Sequence, residues 1–139
     1  MVRREVASAK IARASAWLND VERLVHGPLD DFSGDVARRD LAAFYLFLAT
    51  QECMDLAAHW ISDAGWPTPP DVGSTFDILA ERGAIDRPLA DDMRAAVRMR
   101  NRIAHGYVSV DHPRLHAEAP AGVASMPRFL LGAAGAAGL

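Results

Sequence analysis

Apolar residues recur at helical spacing from the start of the chain. Val6, Ile11, Trp17, Val21, Leu24 and Val25 are interspersed with alanine and charge, which predicts a helix from Val2 to about Val25, ended by His26-Gly27-Pro28. A second helix is expected from near Asp35 to about Asp63. No glycine or proline falls between Ala37 and Ser62, and Gly65-Trp66-Pro67-Thr68-Pro69-Pro70 then stops it. Its first half, Leu41 to Ala49, is apolar all round, so it needs cover on more than one side, either at the centre of a bundle or against a second subunit.

Ser74 to Gly83 reads as a short helix, with Ser74 or Thr75 as cap and Gly83 as terminator. A longer helix is expected from Arg87-Pro88, with Asp91-Asp92 near its positive end, to about His105, where Gly106 closes it. A further helical segment is expected around Leu115, while Pro120, Pro127 and the glycine and alanine run after them predict a loosely packed tail over residues 120–139. No alternating strand pattern or repeat period is present. The expectation is an all-α, up-and-down bundle of four to five helices in one domain over residues 1–139.

Composition narrows the function classes. The chain has 139 residues, half of them hydrophobic, and a net charge of −3, which excludes a nucleic-acid binder relying on overall positive charge; any such contact must be local. The single cysteine, Cys53, lies in an apolar run and is expected to be buried and inert. The N-terminus lacks the apolar core of a signal peptide, and no segment approaches about 18 uncharged apolar residues, so a cytoplasmic protein without membrane contact is expected.

The most informative stretch is Arg100-Asn101-Arg102-Ile103-Ala104-His105-Gly106-Tyr107. On a helix turning about 100° per residue, Arg100 falls within the apolar stripe of Leu89, Met93, Ala96, Val97, Ile103 and Ala104. A guanidinium there must meet an acid, carbonyls, or an anion reached through a cleft. His105 lies roughly 140° around from Arg100, so one unbroken helix does not bring the two together. Either the helix loosens at His105-Gly106, or two subunits contribute to one cleft.

Several polar sets flank this stretch. Gln51, Glu52, Asp55 and His59 form a stripe on the long helix that can partner Arg100, orient His105 or stay a solvated face. Glu52, Asp55 and His59 have metal-ligand spacing, but a di-iron bundle requires a second such set and none is present, so no metal or cofactor is expected. His112 and His116 read as a surface pair. Arg94, Arg98 and Arg102 form a basic ridge that either follows an RNA backbone or is a solvated face. Trp17, Trp60 and Trp66 are expected as core or interface anchors.

The spacing from Arg100 through His105 to Tyr107, with Arg39-Asp40, Gln51-Glu52-Cys53-Met54-Asp55 and Phe76 to Gly83 around it, resembles HEPN-domain proteins, specifically the HepT-like toxins. The likeness covers about Asp40 to Asp111 and departs from many relatives at Ile103-Ala104, where they carry larger aliphatics. It implies a homodimeric ribonuclease toxin acting on RNA, in dimers or higher assemblies, paired with an MntA-like nucleotidyltransferase antitoxin. Arg100 and His105 would be catalytic and Tyr107 the residue blocked by AMPylation. Asn101, Arg102, Arg98 and Asp55 would support the site or contact RNA. The alternative is a non-catalytic subunit that docks the nucleotidyltransferase.

Overall fold

The computed structural model describes residues 3–106 and 109–139. Tyr107 falls outside the described residues. Those residues form six helices and no strand: α1 (Arg4–Val25), α2 (Leu29–Gly34), α3 (Val36–Ala64), α4 (Val72–Glu81), α5 (Arg87–His105) and α6 (His112–Ala136). The all-α expectation holds, with one helix more than expected. The extra element, α2, has only 6 residues, under two turns, and no apolar repeat can show itself over so short a span.

The central helix is α3, against which the other five pack. Near the start of α1, Lys10 Nζ reaches Glu52 Oε2 at 3.2 Å and Asp55 Oδ2 at 3.3 Å, both late in α3. Arg38, at the start of α3, donates to the carbonyls of Leu24 and His26 at the end of α1. The two helices are therefore antiparallel, and Arg38 satisfies carbonyls that the end of a helix leaves without partners. Charged pairs align α5 and α6 in the same way. Arg102 is ion-paired to Glu118, and at the opposite ends Arg128 lies 3.7 Å from Asp86.

The caps refine the sequence reading. Helix α5 has the expected bounds and is capped by Asp86, whose Oδ1 accepts from Leu89 N at 2.8 Å. Helix α4 begins two residues earlier than expected, because its cap is Asp71 rather than Ser74 or Thr75. Asp71 Oδ1 accepts from the Ser74 backbone N–H at 2.8 Å and its hydroxyl at 2.9 Å, while Thr75 is buried. Gly83 does end the turn, at φ +74°, a conformation suited to glycine.

The largest departure is α6, which runs through Pro120 and Pro127 where a loose tail was expected. Each internal proline removes a backbone hydrogen bond and crowds the preceding turn, at about 3 kcal/mol. Against this, Leu115, Met126, Phe129 and Leu130 are buried, each contributing roughly 1.5–3 kcal/mol. Burial wins. Phe129 sits 5.4 Å from Phe76, edge to face, and 6.2 Å from Trp60, tying α6 to α4 and α3.

By length and composition α3 is apolar enough to cross a membrane, a test that a central bundle helix also passes; half of its most apolar window is buried here. Ala42, Ala43, Leu46 and Ala49 face the core, while Leu41 is 41 % and Phe44 54 % exposed. One apolar face of α3 thus stays open. Cys53 is fully buried, and burial first, then the neighbouring Glu52 charge, push its thiol well above the ordinary range.

Candidate functional site

Arg100 projects from the last third of α5 toward α3, into the place that the apolar stripe predicted. It is half-buried, and its guanidinium lies over the Phe47 ring, with Cζ 4.6 Å from the centroid. Nη2 donates to Gln51 Oε1 at 2.8 Å and Nη1 to Asn101 Oδ1 at 3.0 Å. Nε is buried and meets no acceptor among the described residues. Of the partners a buried arginine could take, this one has side-chain carbonyls and a π face and forms no ion pair among the described residues. Its charge is positioned without being neutralised.

Asp55 does not touch Arg100. It is one step removed: Gln51 Nε2 donates to Asp55 Oδ1 at 3.1 Å, and Asp55 Oδ2 faces Lys10. A direct contact fails because Asp55 lies a full turn beyond Gln51 on α3, beside α1 rather than α5. Glu52 is held by Lys10 and by Arg13, with Arg13 Nε at 3.3 Å, so these carboxylates are joined to α1.

His105 is the last residue of α5 and is exposed. The helix does not loosen there: Gly106 N donates to Arg102 O at 2.9 Å, continuing the helical ladder. With α5 unbroken, Arg100 and His105 leave it in directions roughly 140° apart. Loosening of the helix at His105-Gly106, one of the two routes to a shared site, is not seen in this structure.

The basic ridge divides. Arg94 is ion-paired to Asp77 and Arg102 to Glu118, so both serve the bundle. Arg98 is exposed and forms no ion pair among the described residues. His112 and His116 have separate surroundings. His112 lies 3.7 Å from Asp40, whereas His116 Nε2 is 2.9 Å from the Gly27 carbonyl and its ring is tilted against Phe32. Trp60 is a core anchor, and Trp66 lies under Arg82.

Of the stripe Gln51, Glu52, Asp55 and His59, expected as able to partner Arg100, Gln51 is the residue that meets the guanidinium. The sequence reading did not single out the open apolar patch where Phe44 and Phe47 of α3 meet Ile103 and Ala104 of α5 and Val110 beyond it. It adjoins Arg100 through Phe47.

Comparison with known proteins places this geometry. An mRNA nuclease HepT from Shewanella oneidensis is 26 % identical over 98 residues, covering 70 % of this chain and 73 % of that protein. Two solved structures share the fold. A toxin–antitoxin crystal structure with AMP-PNP aligns at TM-score 0.81 and 20 % identity, covering 92 % of this chain and 97 % of the other. A tri-AMPylated Shewanella oneidensis HEPN toxin in complex with an MNT antitoxin aligns at TM-score 0.81 and 21 % identity, covering 91 % and 95 %. Residues 16–130, which include the whole of α3 and α5, match the family described as ribonuclease HepT-like, and the chain belongs to that family.

Proposed function

We propose that the chain is the toxin of a toxin–antitoxin pair, a metal-independent endoribonuclease acting in the cytoplasm, whose site is completed by a second copy of itself. The observation that carries this is Arg100: a guanidinium on an apolar stripe, oriented by two amides and an aromatic face, with no ion pair among the described residues. Such a group is suited to an incoming phosphate, which its planar fork matches. Family membership and the curated relative support the same reading.

In this reading the ribose 2′-oxygen attacks the adjacent phosphorus while His105 accepts its proton. The bond to the 5′-oxygen then breaks, and that oxygen takes a proton from His105 of the second copy, leaving a 2′,3′-cyclic phosphate and a 5′-hydroxyl. Arg100 stabilises the doubly charged phosphorane. The divergence of Arg100 and His105 on α5 is what calls for the second copy, and the exposed Leu41 and Phe44 offer it an apolar surface. Asn101 orients Arg100, Arg98 contacts the RNA backbone, and Arg102 and Asp55 act through Glu118 and Gln51.

Tyr107, one residue beyond the C-cap Gly106, is the proposed point of control. A nucleotidyltransferase antitoxin of the MNT type would attach adenylate to its hydroxyl, placing negative charge and bulk where the substrate phosphate must come. Resemblance and the AMPylated structural neighbour support this.

The test uses purified protein, free of partner, incubated with RNA and EDTA. Cleavage is expected, and Arg100→Ala and His105→Ala should each remove it. Mixing the two inactive dimers should leave the RNA intact even if subunits exchange, since a hybrid dimer holds a single His105 and the reaction uses one from each copy. No cleavage by the unsubstituted protein, or cleavage surviving both substitutions, overturns the assignment.

A further inference from the structure

A cleft of about 420 Å³ lies between the start of α4 and the outer half of α5. Arg94, Arg98, Arg100 and Asn101 line one side of it. Val72 and Gly73, in the first turn of α4, line the other, with Met54 and Val97 between. The cleft is electropositive in a chain whose net charge is −3. It carries three guanidiniums against one carboxylate, Asp71, which is occupied in capping α4 through Ser74. Arg94 is turned toward Asp77, but Arg98 and Arg100 form no ion pair among the described residues. Asn101 spends its carbonyl on Arg100, and its amide nitrogen donates to no described residue.

We propose that this cleft is a subsite for the nucleotide next to the scissile bond, with Arg98 and Arg100 sharing its phosphate and the apolar wall of Met54, Val72 and Val97 receiving its base. The proposal rests on the ribonuclease reading above and names the substrate class: unpaired RNA. A cleft of this volume admits one nucleotide, whereas a duplex keeps its bases stacked inside and must unstack and unpair one, at about a few kcal/mol, to turn it into the cleft. Met54, Val72 and Val97 offer the base a face to pack on, with the Asn101 amide on the facing side, rather than a set of donors and acceptors to read a base edge. The cleft therefore selects for single-strandedness more than for sequence.

Gly73 keeps the cleft open. A Cβ there would lie 3.4 Å from Asp71 Oδ1 and 3.6 Å from Arg94 Nη1, ordinary contact distances, so alanine fits while a longer side chain must enter the cleft. Two independent substitutions thus address the site from opposite walls, and neither removes a core side chain.

The experiment measures binding by the His105→Ala dimer, which does not require cleavage. The probes are a fluorescein-labelled single-stranded RNA hexanucleotide, the same RNA annealed to its complement, and 5′-AMP. Arg98→Ala should weaken hexanucleotide binding by roughly fivefold to tenfold and reduce the slope of log Kd against log salt by about one. Gly73→Glu should weaken it at least as much, Gly73→Ala should bind as the parent does, and the duplex should bind less tightly than the single strand. Binding within about twofold of the parent for both Arg98→Ala and Gly73→Glu overturns the subsite, as does equal affinity for 5′-AMP and the hexanucleotide. Failure of the ribonuclease reading shows itself separately, as intact RNA after incubation with the unsubstituted protein.

Discussion

Gln51 holds Arg100 from across the bundle: its Oε1 accepts from Nη2 at 2.8 Å, and its own amide donates to Asp55, which faces Lys10 on α1. The proposed phosphate-binding group is thus tied to an outer helix through one neutral amide.

Replacing that amide separates position from charge. Gln51→Leu keeps the volume but leaves Arg100 without its long-range partner, so kcat for RNA cleavage should fall about tenfold, near the weight of one hydrogen bond to a charged group, with little change in dimer mass. Gln51→Glu supplies a carboxylate that competes with the substrate phosphate and should raise KM instead. Single-turnover and steady-state cleavage distinguish the two. Equal effects on kcat and KM in both variants would count against a positioning role.

The aromatic contacts of Phe129 predict that the C-terminal region is structural. Phe129→Ala removes a fully buried ring from between Phe76 and Trp60 and should lower stability by about 3–5 kcal/mol in urea denaturation. A loss under 1 kcal/mol would mean that α6 is dispensable to the core.

The cap of α4 predicts a pH dependence. The Ser74 backbone N–H first, and its hydroxyl second, hold the Asp71 carboxyl below its ordinary value of 3.8. As pH falls the unfolded chain binds this proton first, so the contribution of the cap is complete above that value and is lost as pH drops through the lower folded value. The stability difference between the native protein and Asp71→Asn should be constant from about pH 7 to 5 and shift below about pH 4. A difference that stays flat throughout would refute the cap's electrostatic part.

Much of the fold was legible because its signals are local. The bounds of α5 follow from Arg87-Pro88 and Gly106, and the length of α3 from an uninterrupted run. Prolines misled at α6, since their cost is local and visible while the compensating burial of Met126 and Phe129 depends on neighbours far along the chain. The same limit applied to the candidate site. Periodicity showed that Arg100 occupies an apolar face and diverges from His105, because both facts belong to one helix. It could not show that Gln51 rather than Asp55 would meet the guanidinium, or that Arg94 and Arg102 would be taken up by Asp77 and Glu118, because those partners are set by how helices rotate against each other.

Helix α3 carries the Phe44 face, the Phe47 ring under Arg100, the Gln51 amide, the Glu52 and Asp55 clamp on α1, and Trp60 against Phe129. It therefore acts as a ruler against which every other part is indexed. A single residue inserted near Ala49 would rotate everything beyond it by about 100°, swinging Gln51 off Arg100 and Trp60 off the core together. An insertion in the 65–71 connection moves none of them, so tolerance to length change should be nearly absent along α3 and generous just after it.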